Sequence, residues 1–389
     1  MEDRIKNLVR QSKDNVVTLR RYFRAYPELS GQEVNTQGKI IEELSSYGLA
    51  PRKVASTGVL ADLCGRPGEE VVAVRADMDA LPVEDLVERP YRSVRQGVCH
   101  ACGHDGHMAM LLGAAEVLTK LKDDFSGSVR FLFQPSEEVI PGGAPSMVAE
   151  GVLEGVKAII GLHLWQPLPV GYVGLTAGRM MAAPDEFVIT VKGRGGHGSM
   201  PHQTIDPILV GAQLVLALNT VVSRRMDPLE PAVLSLGMFR AGEVFNVIPD
   251  QAVLKGTVRS FDSRVRDQIF SSIEQITQGI CAAQGAEFTL EKVYGHPPLI
   301  NNSQIAGVMA QAAKVVVGAD KVLSIQPVMS GEDFSFYLEE IPGAFAFVGV
   351  GNKDKNIVYP HHHPQFDMDE EALCYGVEVM VRSVLHLLE

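Results

Sequence analysis

A chain of 389 residues is longer than one hydrophobic core usually grows, so two domains are the starting expectation. Its 46% hydrophobic and 21% charged residues are those of an ordinary soluble protein, and a formal charge of -12 excludes the concentrated basic surface that nucleic acid or an anionic membrane requires, though not a few arginines for a small anionic substrate. Five cysteines, odd in number and widely spread (Cys64, Cys99, Cys102, Cys281, Cys374), do not form a disulfide framework, and a reducing cytoplasm is the expected compartment.

Residues 1–24 are charged throughout and read as an amphipathic helix rather than a secretion signal. No apolar run approaches the roughly 18 to 20 residues that span a bilayer. The longest, 208–222, is interrupted by Gly211, Gln213 and Asn219 and reads as a buried helix. Strands are expected at 59–63 and 71–74, the second ending in Arg75-Ala76-Asp77-Met78-Asp79. Then come His100 to His107, with three imidazoles, a thiol and a carboxylate in eight residues, and a helix over 108–121. A strand at 128–133 runs into Gln134-Pro135-Ser136-Glu137-Glu138, and another at 158–162 ends in His163. Apolar strands followed by helices predict an α/β fold with a largely parallel sheet, whose chemistry gathers beyond the carboxyl ends of the strands.

From about Pro184 the rhythm changes. Strands at 186–191, 232–239, 252–260 and 286–293, with helices at 207–223 and 264–284, follow the β-α-β-β-α-β order of a ferredoxin-like α+β unit. Pro- and Gly-containing flanks suit hinges. Helices at 305–317, 334–340 and 370–388 and a strand at 344–350 then resume the first pattern, interrupted by Pro360-His361-His362-His363-Pro364. The expected organisation is a discontinuous catalytic domain, 1–183 and 295–389, with an inserted lid over 184–294.

The strand-end groups, Cys102, His104, Glu137, Glu138, His163 and the triple histidine, exceed the four ligands of a structural zinc site. Two metal ions are the inference. Ions roughly 3.5 to 4 Å apart can lower the pKa of a shared water and polarise a carbonyl, so hydrolysis is the reaction class. One of the adjacent glutamates would ligate while the other acts as general base. Plainer readings stand beside these: a His-rich surface loop, a solvated Glu-Glu pair, and a thioredoxin-like redox pair in Cys99-His100-Ala101-Cys102. Gly193 to Ser199 is glycine-rich but lacks the ending of a phosphate loop; His197 within it could donate to a developing oxyanion, or simply mark a surface turn. Asn246 and Arg259 could hold a substrate carboxylate, or cap a turn and pair on the surface.

In order along the chain, Arg75 to Pro82, His100 to His107, Gln134 to Glu138, Gly161 to Leu164, Gly195 to Ser199, Asn246 to Pro249, Gly256 to Arg259, Gly331 to Phe334 and His362 to Pro364 resemble the motifs of the di-metal aminoacylase and carboxypeptidase superfamily. The resemblance is to the amidohydrolase branch, with hippurate hydrolases, N-acyl-amino-acid deacylases and indole-acetyl-amino-acid hydrolases. It implies a Cys102 thiolate bridging two divalent metal ions, with His104, Glu138, His163 and His362 completing their shells. Zinc or manganese would be the usual metal, cobalt or nickel an alternative. It also implies Glu137 as general base, His197 and Asn246 assisting the scissile carbonyl, in related enzymes across a dimer interface, and Arg259 on the substrate carboxylate. The expected enzyme is a cytoplasmic, homodimeric amidohydrolase of N-acyl amino acids, with a dipeptidase, or a deacylase of a diaminopimelate or amino-sugar derivative, as the alternative. Cys99 departs from the family, where an apolar residue is usual. Arg75-Ala76-Asp77 occupies the place of a metal-binding His-x-Asp, which suggests a supporting role for Asp77.

Overall fold

In the computed structural model, which describes residues 1–389, the chain forms two units. The first comprises Met1–Met180, Ile300–Pro327 and Asp333–Glu389, and the second Met181–Leu299 with Val328–Glu332. The division expected at 183/184 and 294/295 therefore shifts outward, and a five-residue segment beyond it joins the insertion. The cause is local: the Ala182 amide donates to the carbonyls of Val328 and Ser330, at 3.1 and 3.0 Å.

The first unit is built on an eight-stranded sheet. Its middle four strands, Ser126–Gln134, Arg66–Asp77, Val156–Pro169 and Gly343–Gly351, pair in parallel in that order. Antiparallel pairs flank them, Gly58–Cys64 on one side and Val173–Leu175 on the other. The inner strands are apolar on both faces, as a covered parallel sheet requires. Helix His104–Lys120 packs on the sheet and against helices Glu2–Ala25 and Glu371–Leu388, which explains why Met108, Leu111, Leu112 and Ala115 are all buried. Gly113 permits the close approach, since a Cβ there would lie 2.5 Å from Val16 Cγ2.

His163 is not at a strand end, as its position after an apolar run suggests. Val156–Pro169 continues past it. Its neighbour Arg66–Asp77 pairs with it only as far as Arg75 opposite Gly161, whereas Gly343–Gly351 follows it to Pro169. Beyond Gly161 one flank of the strand is thus free of backbone partners, and His163 and Leu164 lie on that stretch.

In the second unit Ala232–Ala241, Gln251–Ser260, Ala183–Lys192 and Glu287–Val293 form an antiparallel sheet in that order, the ferredoxin-like arrangement. Phe187, Ile189 and Val191 alternate inward and pack with Val210, Leu214 and Leu218 of helix Pro207–Leu218 and with Ile269 and Ile273 of helix Ser263–Gln284. The segment expected as one buried helix breaks at Asn219 into Pro207–Leu218 and Thr220–Arg225. Nor is it buried all round: Leu209 is 52% and Leu216 75% exposed. No helix is long and apolar enough to cross a membrane.

Candidate active site

Three turns bring the donor side chains of the first unit together, and each contains a residue in the left-handed backbone region. Gly103 (φ 98°) ends the loop bearing Cys102 and starts helix His104–Lys120, one turn earlier than the apolar pattern suggests. Ser136 (φ 58°) follows strand Ser126–Gln134 and precedes Glu137 and Glu138. His362 itself has φ 65°. Non-glycine residues with positive φ are uncommon and persist where their surroundings hold them. Here the Ser136 amide donates to Glu33 (2.9 Å), and the His362 amide donates to the Ala101 carbonyl (2.8 Å), which ties the histidine to the cysteine loop.

The side chains converge as two triads sharing one member. Donor atoms of Cys102, His104 and His163 lie within 4.8 Å of one another, and so do those of Cys102, Glu138 and His362. His104, Glu137 and Glu138 make a third such group. Cys102 Sγ is 3.6 Å from His163 Nε2, while Glu138 Oε1 is 3.8 Å from His104 Nε2 and 3.5 Å from His362 Nε2. The buried His104 Nε2 and Glu138 Oε1 have no hydrogen-bond partner. Buried polar atoms are rarely left so, and inward-facing nitrogen, oxygen and sulfur donors fit divalent metal ions. Charge points the same way. Burial pulls His104 down, but Asp77, Asp79 and Glu138 outweigh it and raise its pKa to about 10. Burial, then Glu138 and Glu137, push the Cys102 thiol well above its usual value. A cation is what would satisfy these carboxylates and keep the sulfur as thiolate.

The remaining groups of the opening motif are committed elsewhere. His107 Nδ1 lies 2.6 Å from Asp77 Oδ1, and its Nε2 accepts from the Leu164 amide at 2.9 Å. Asp105 receives the Arg20 guanidinium at 2.9 Å. His100 is buried, which lowers its pKa to about 4. The thiol redox reading gains nothing: all five cysteines are free, and burial drives Cys99 up to about 12, whereas redox pairs depend on a lowered thiol pKa.

The second unit carries His197, Asn246 and Arg259. Gly196–His197 pairs with Val247–Ile248 in a short antiparallel ribbon, with His197 opposite Val247, and Asn246 immediately precedes that second strand, its carbonyl accepting from the Gly198 amide at 2.9 Å. His197 Nδ1 accepts from the Ser199 amide at 3.1 Å, which leaves the proton on Nε2, available to donate from an exposed ring. Arg259 is half-buried on strand Gln251–Ser260, where its Nη1 donates to the carbonyls of Asp185 and Val258 and to the Thr257 hydroxyl. No carboxylate side chain pairs with it, and burial lowers its pKa.

Sequence reasoning passed over the arginines beneath the site. Arg24 is fully buried, its Nε and Nη2 on Asp85 at 2.8 and 3.0 Å, its Nη1 on the His100 carbonyl and its Nη2 also on the Phe366 carbonyl, both at 2.9 Å. It therefore clasps the loop of Cys102 to that of His362. The only clue was an arginine recurring at 20 and 24, one helical turn apart on one face. Arg24→Met is expected to lower stability by roughly 3–5 kcal/mol, because Asp85 would be left buried and unpaired. Burial pushes the Asp85 pKa up, but the Arg24 hydrogen bonds and charge overcome it and hold it below the ordinary carboxylate value. The pair's contribution is thus present above the unfolded carboxylate pKa and lost as pH falls through the folded one. Denaturant unfolding of both proteins should show the gap narrowing in acid; a constant gap would assign it to packing.

The chain has relatives among known proteins. Residues 73–386 match the profile described as Peptidase family M20/M25/M40. The chain is 49% identical over 301 residues to an N-acyl-L-amino acid amidohydrolase of Geobacillus stearothermophilus, covering 77% of this chain and 81% of that one. It is 39% identical over 380 residues to thermostable carboxypeptidase 1 of Saccharolobus solfataricus, 96% and 95% of the two chains. Among solved structures, a Bacillus subtilis protein described as a dinuclear metal binding peptidase from the M20 family superposes with a TM-score of 0.85, at 34% identity, over 97% of this chain and 99% of that one.

Proposed function

Since the chain belongs to peptidase family M20/M25/M40 and is a metal-dependent amidohydrolase, we propose that it hydrolyses the amide bond of N-acyl amino acids, giving a carboxylic acid and a free amino acid. The observation that carries this reading is Cys102 shared between two donor triads, with Glu137 beside them. Cys102, His104, Glu138, His163 and His362 would hold two divalent ions, zinc or manganese first, cobalt or nickel next. When bound, the ions supply Lewis acidity toward water and the amide carbonyl.

The protein groups divide the rest. The Glu137 carboxylate takes a proton from the attacking water and returns it to the leaving amine nitrogen. Its shielded position keeps bulk water from competing for that proton. His197 donates its Nε2 proton to the carbonyl oxygen as negative charge develops there, and the Asn246 amide adds a second donor. Arg259, lacking an acidic partner of its own, receives the substrate carboxylate. An odd number of widely spread cysteines suits a cytoplasmic enzyme.

The test is a panel of N-acyl amino acids, varied at the acyl and the amino-acid end, with each metal supplied to metal-free protein. Turnover of N-acetyl or N-benzoyl amino acids is expected. Activity confined to dipeptides would favour the carboxypeptidase reading, which the Saccharolobus relative supports. No turnover with metal bound would sink both.

The second unit also serves assembly in this proposal. Leu209, Ala212 and Leu216 leave an apolar stripe on the outer face of helix Pro207–Leu218, whose inner face already packs on its sheet. Monomeric proteins seldom leave such a stripe uncovered, and a second copy is the proposed cover. Leu216→Glu is expected to convert a homodimer to monomers in sedimentation velocity. An unchanged dimer would place the interface elsewhere.

A further inference from the structure

Leu164, an apolar residue, is the hub of the imidazole cluster through its backbone. Its carbonyl accepts from His163 Nδ1 and from His361 Nε2, both at 2.9 Å, and its amide donates to His107 Nε2 at 2.9 Å. These contacts fix proton positions without appeal to any titration. An amide can only donate, so His107 Nε2 is a bare acceptor, and the His107 proton sits on Nδ1, facing Asp77 Oδ1 at 2.6 Å. A carbonyl can only accept, so His163 carries its proton on Nδ1. Its Nε2 lone pair then faces Cys102 Sγ.

Asp77 is held in turn by Arg75, Nη1 to Oδ2 at 2.8 Å. The same guanidinium binds Asp333 at 2.7 Å and Gln134 at 2.8 Å, so all three of its nitrogens are anchored in the core. The line Arg75, Asp77, His107, Leu164, His163 runs through buried groups, across the flank that the neighbouring strand vacates after Arg75.

We propose that His107 is a positioning residue, which orients His163 through the Leu164 backbone, accepting from its amide and so steadying the carbonyl of the next peptide group that sets the His163 tautomer, with Arg75 and Asp77 anchoring it. The inference rests on His163 being a metal donor. With both ring nitrogens engaged, His107 has none to give a metal. Its part is to stand in for the missing strand: it takes the Leu164 amide, which would otherwise be an orphan donor, and so sets the rotation of the peptide that joins His163 to Leu164.

The test is a cobalt(II) titration of metal-free wild type, His107→Phe and His107→Gln, followed by the thiolate-to-cobalt and d–d absorption bands. A glutamine amide can accept from Leu164 and donate to Asp77; phenylalanine can do neither. His107→Phe is expected to bind one of two cobalt ions about 10- to 100-fold more weakly with altered bands, as loss of a supporting partner does. His107→Gln should restore affinity and spectrum. Equal affinity and bands in His107→Phe, or a glutamine variant as impaired as the phenylalanine one, would overturn the inference. Should His107→Phe not fold, Asp77→Asn breaks the same line and is expected to shift the same bands; unshifted bands would count against it. Nitrogen-15 spectra of the imidazoles in metal-free protein give a separate reading, with the His163 Nδ1–H form expected in wild type and its loss in His107→Phe. Wild type binding fewer than two cobalt ions would instead sink the di-metal reading, and these spectra would still decide the role of His107.

Discussion

Exchange of Glu137 for Gln is expected to lower turnover by about 10²-fold or more while bound metal stays near the wild-type level, since general-base catalysis contributes roughly 10²- to 10⁴-fold. The substitution keeps the shape of the side chain and removes only its capacity to accept a proton. Glu137 is 8% exposed and follows the constrained Ser136 turn, so a glutamine has little freedom to leave the position. Its neighbour Glu138, between His104 and His362, is untouched. The check is kcat together with metal content by elemental analysis. Full activity would remove Glu137 from the mechanism; loss of metal in step with activity would make it a ligand.

Replacement of Cys102 by Ala should have the other large effect: bound metal falling to about one equivalent or less, and turnover with it, because the shared donor of both triads is gone. No other member of the cluster belongs to both triads. The control is Cys99→Ala, three residues earlier and fully buried away from the donors' grouping, which is expected to keep both metals. Equal metal loss in the two variants would mean that the loop, rather than the thiolate, is what the site requires.

The side chains at the centre were legible because their chemistry cannot be supplied by other residue types. Cys102, His104, Glu137, Glu138, His163 and the triple histidine stood out in the sequence, the family resemblance alone singled out His362 of the three, and the first five and His362 lie grouped in the structure. The parallel sheet and the ferredoxin-like insertion were legible from apolar runs and their order. What was not legible depends on three-dimensional adjacency. Nothing near His163 in the chain says that its strand continues to Pro169, since Pro167 and Pro169 look like the end of one; they fall where the pairing with Gly343–Gly351 shifts register, from Trp165 opposite Gly349 to Pro169 opposite Gly351. Arg20 and Arg24 look solvent-facing in a charged segment, yet their partners Asp105, Asp367 and Asp85 arrive from 61 to 347 residues away. The exposed stripe at Leu209 and Leu216 reads as core because an apolar helix gives no sign of which face awaits a neighbour.

The hydrogen bond from His362 to Ala101 has a consequence for biosynthesis. During translation Cys102, His104, Glu138 and His163 leave the ribosome with the first strands and helices, but their fifth companion follows some 200 residues after His163, once the whole insertion has been made. Until then the helix Glu2–Ala25 also lacks Asp367 and Glu370, two of the acids that neutralise Arg20. A nascent chain is therefore a thiol- and imidazole-rich intermediate whose donor set is incomplete. In the proposed di-metal site metal loading would then be a late event, and chains that stall before residue 362 would lack one of its proposed donors however well the earlier part had folded.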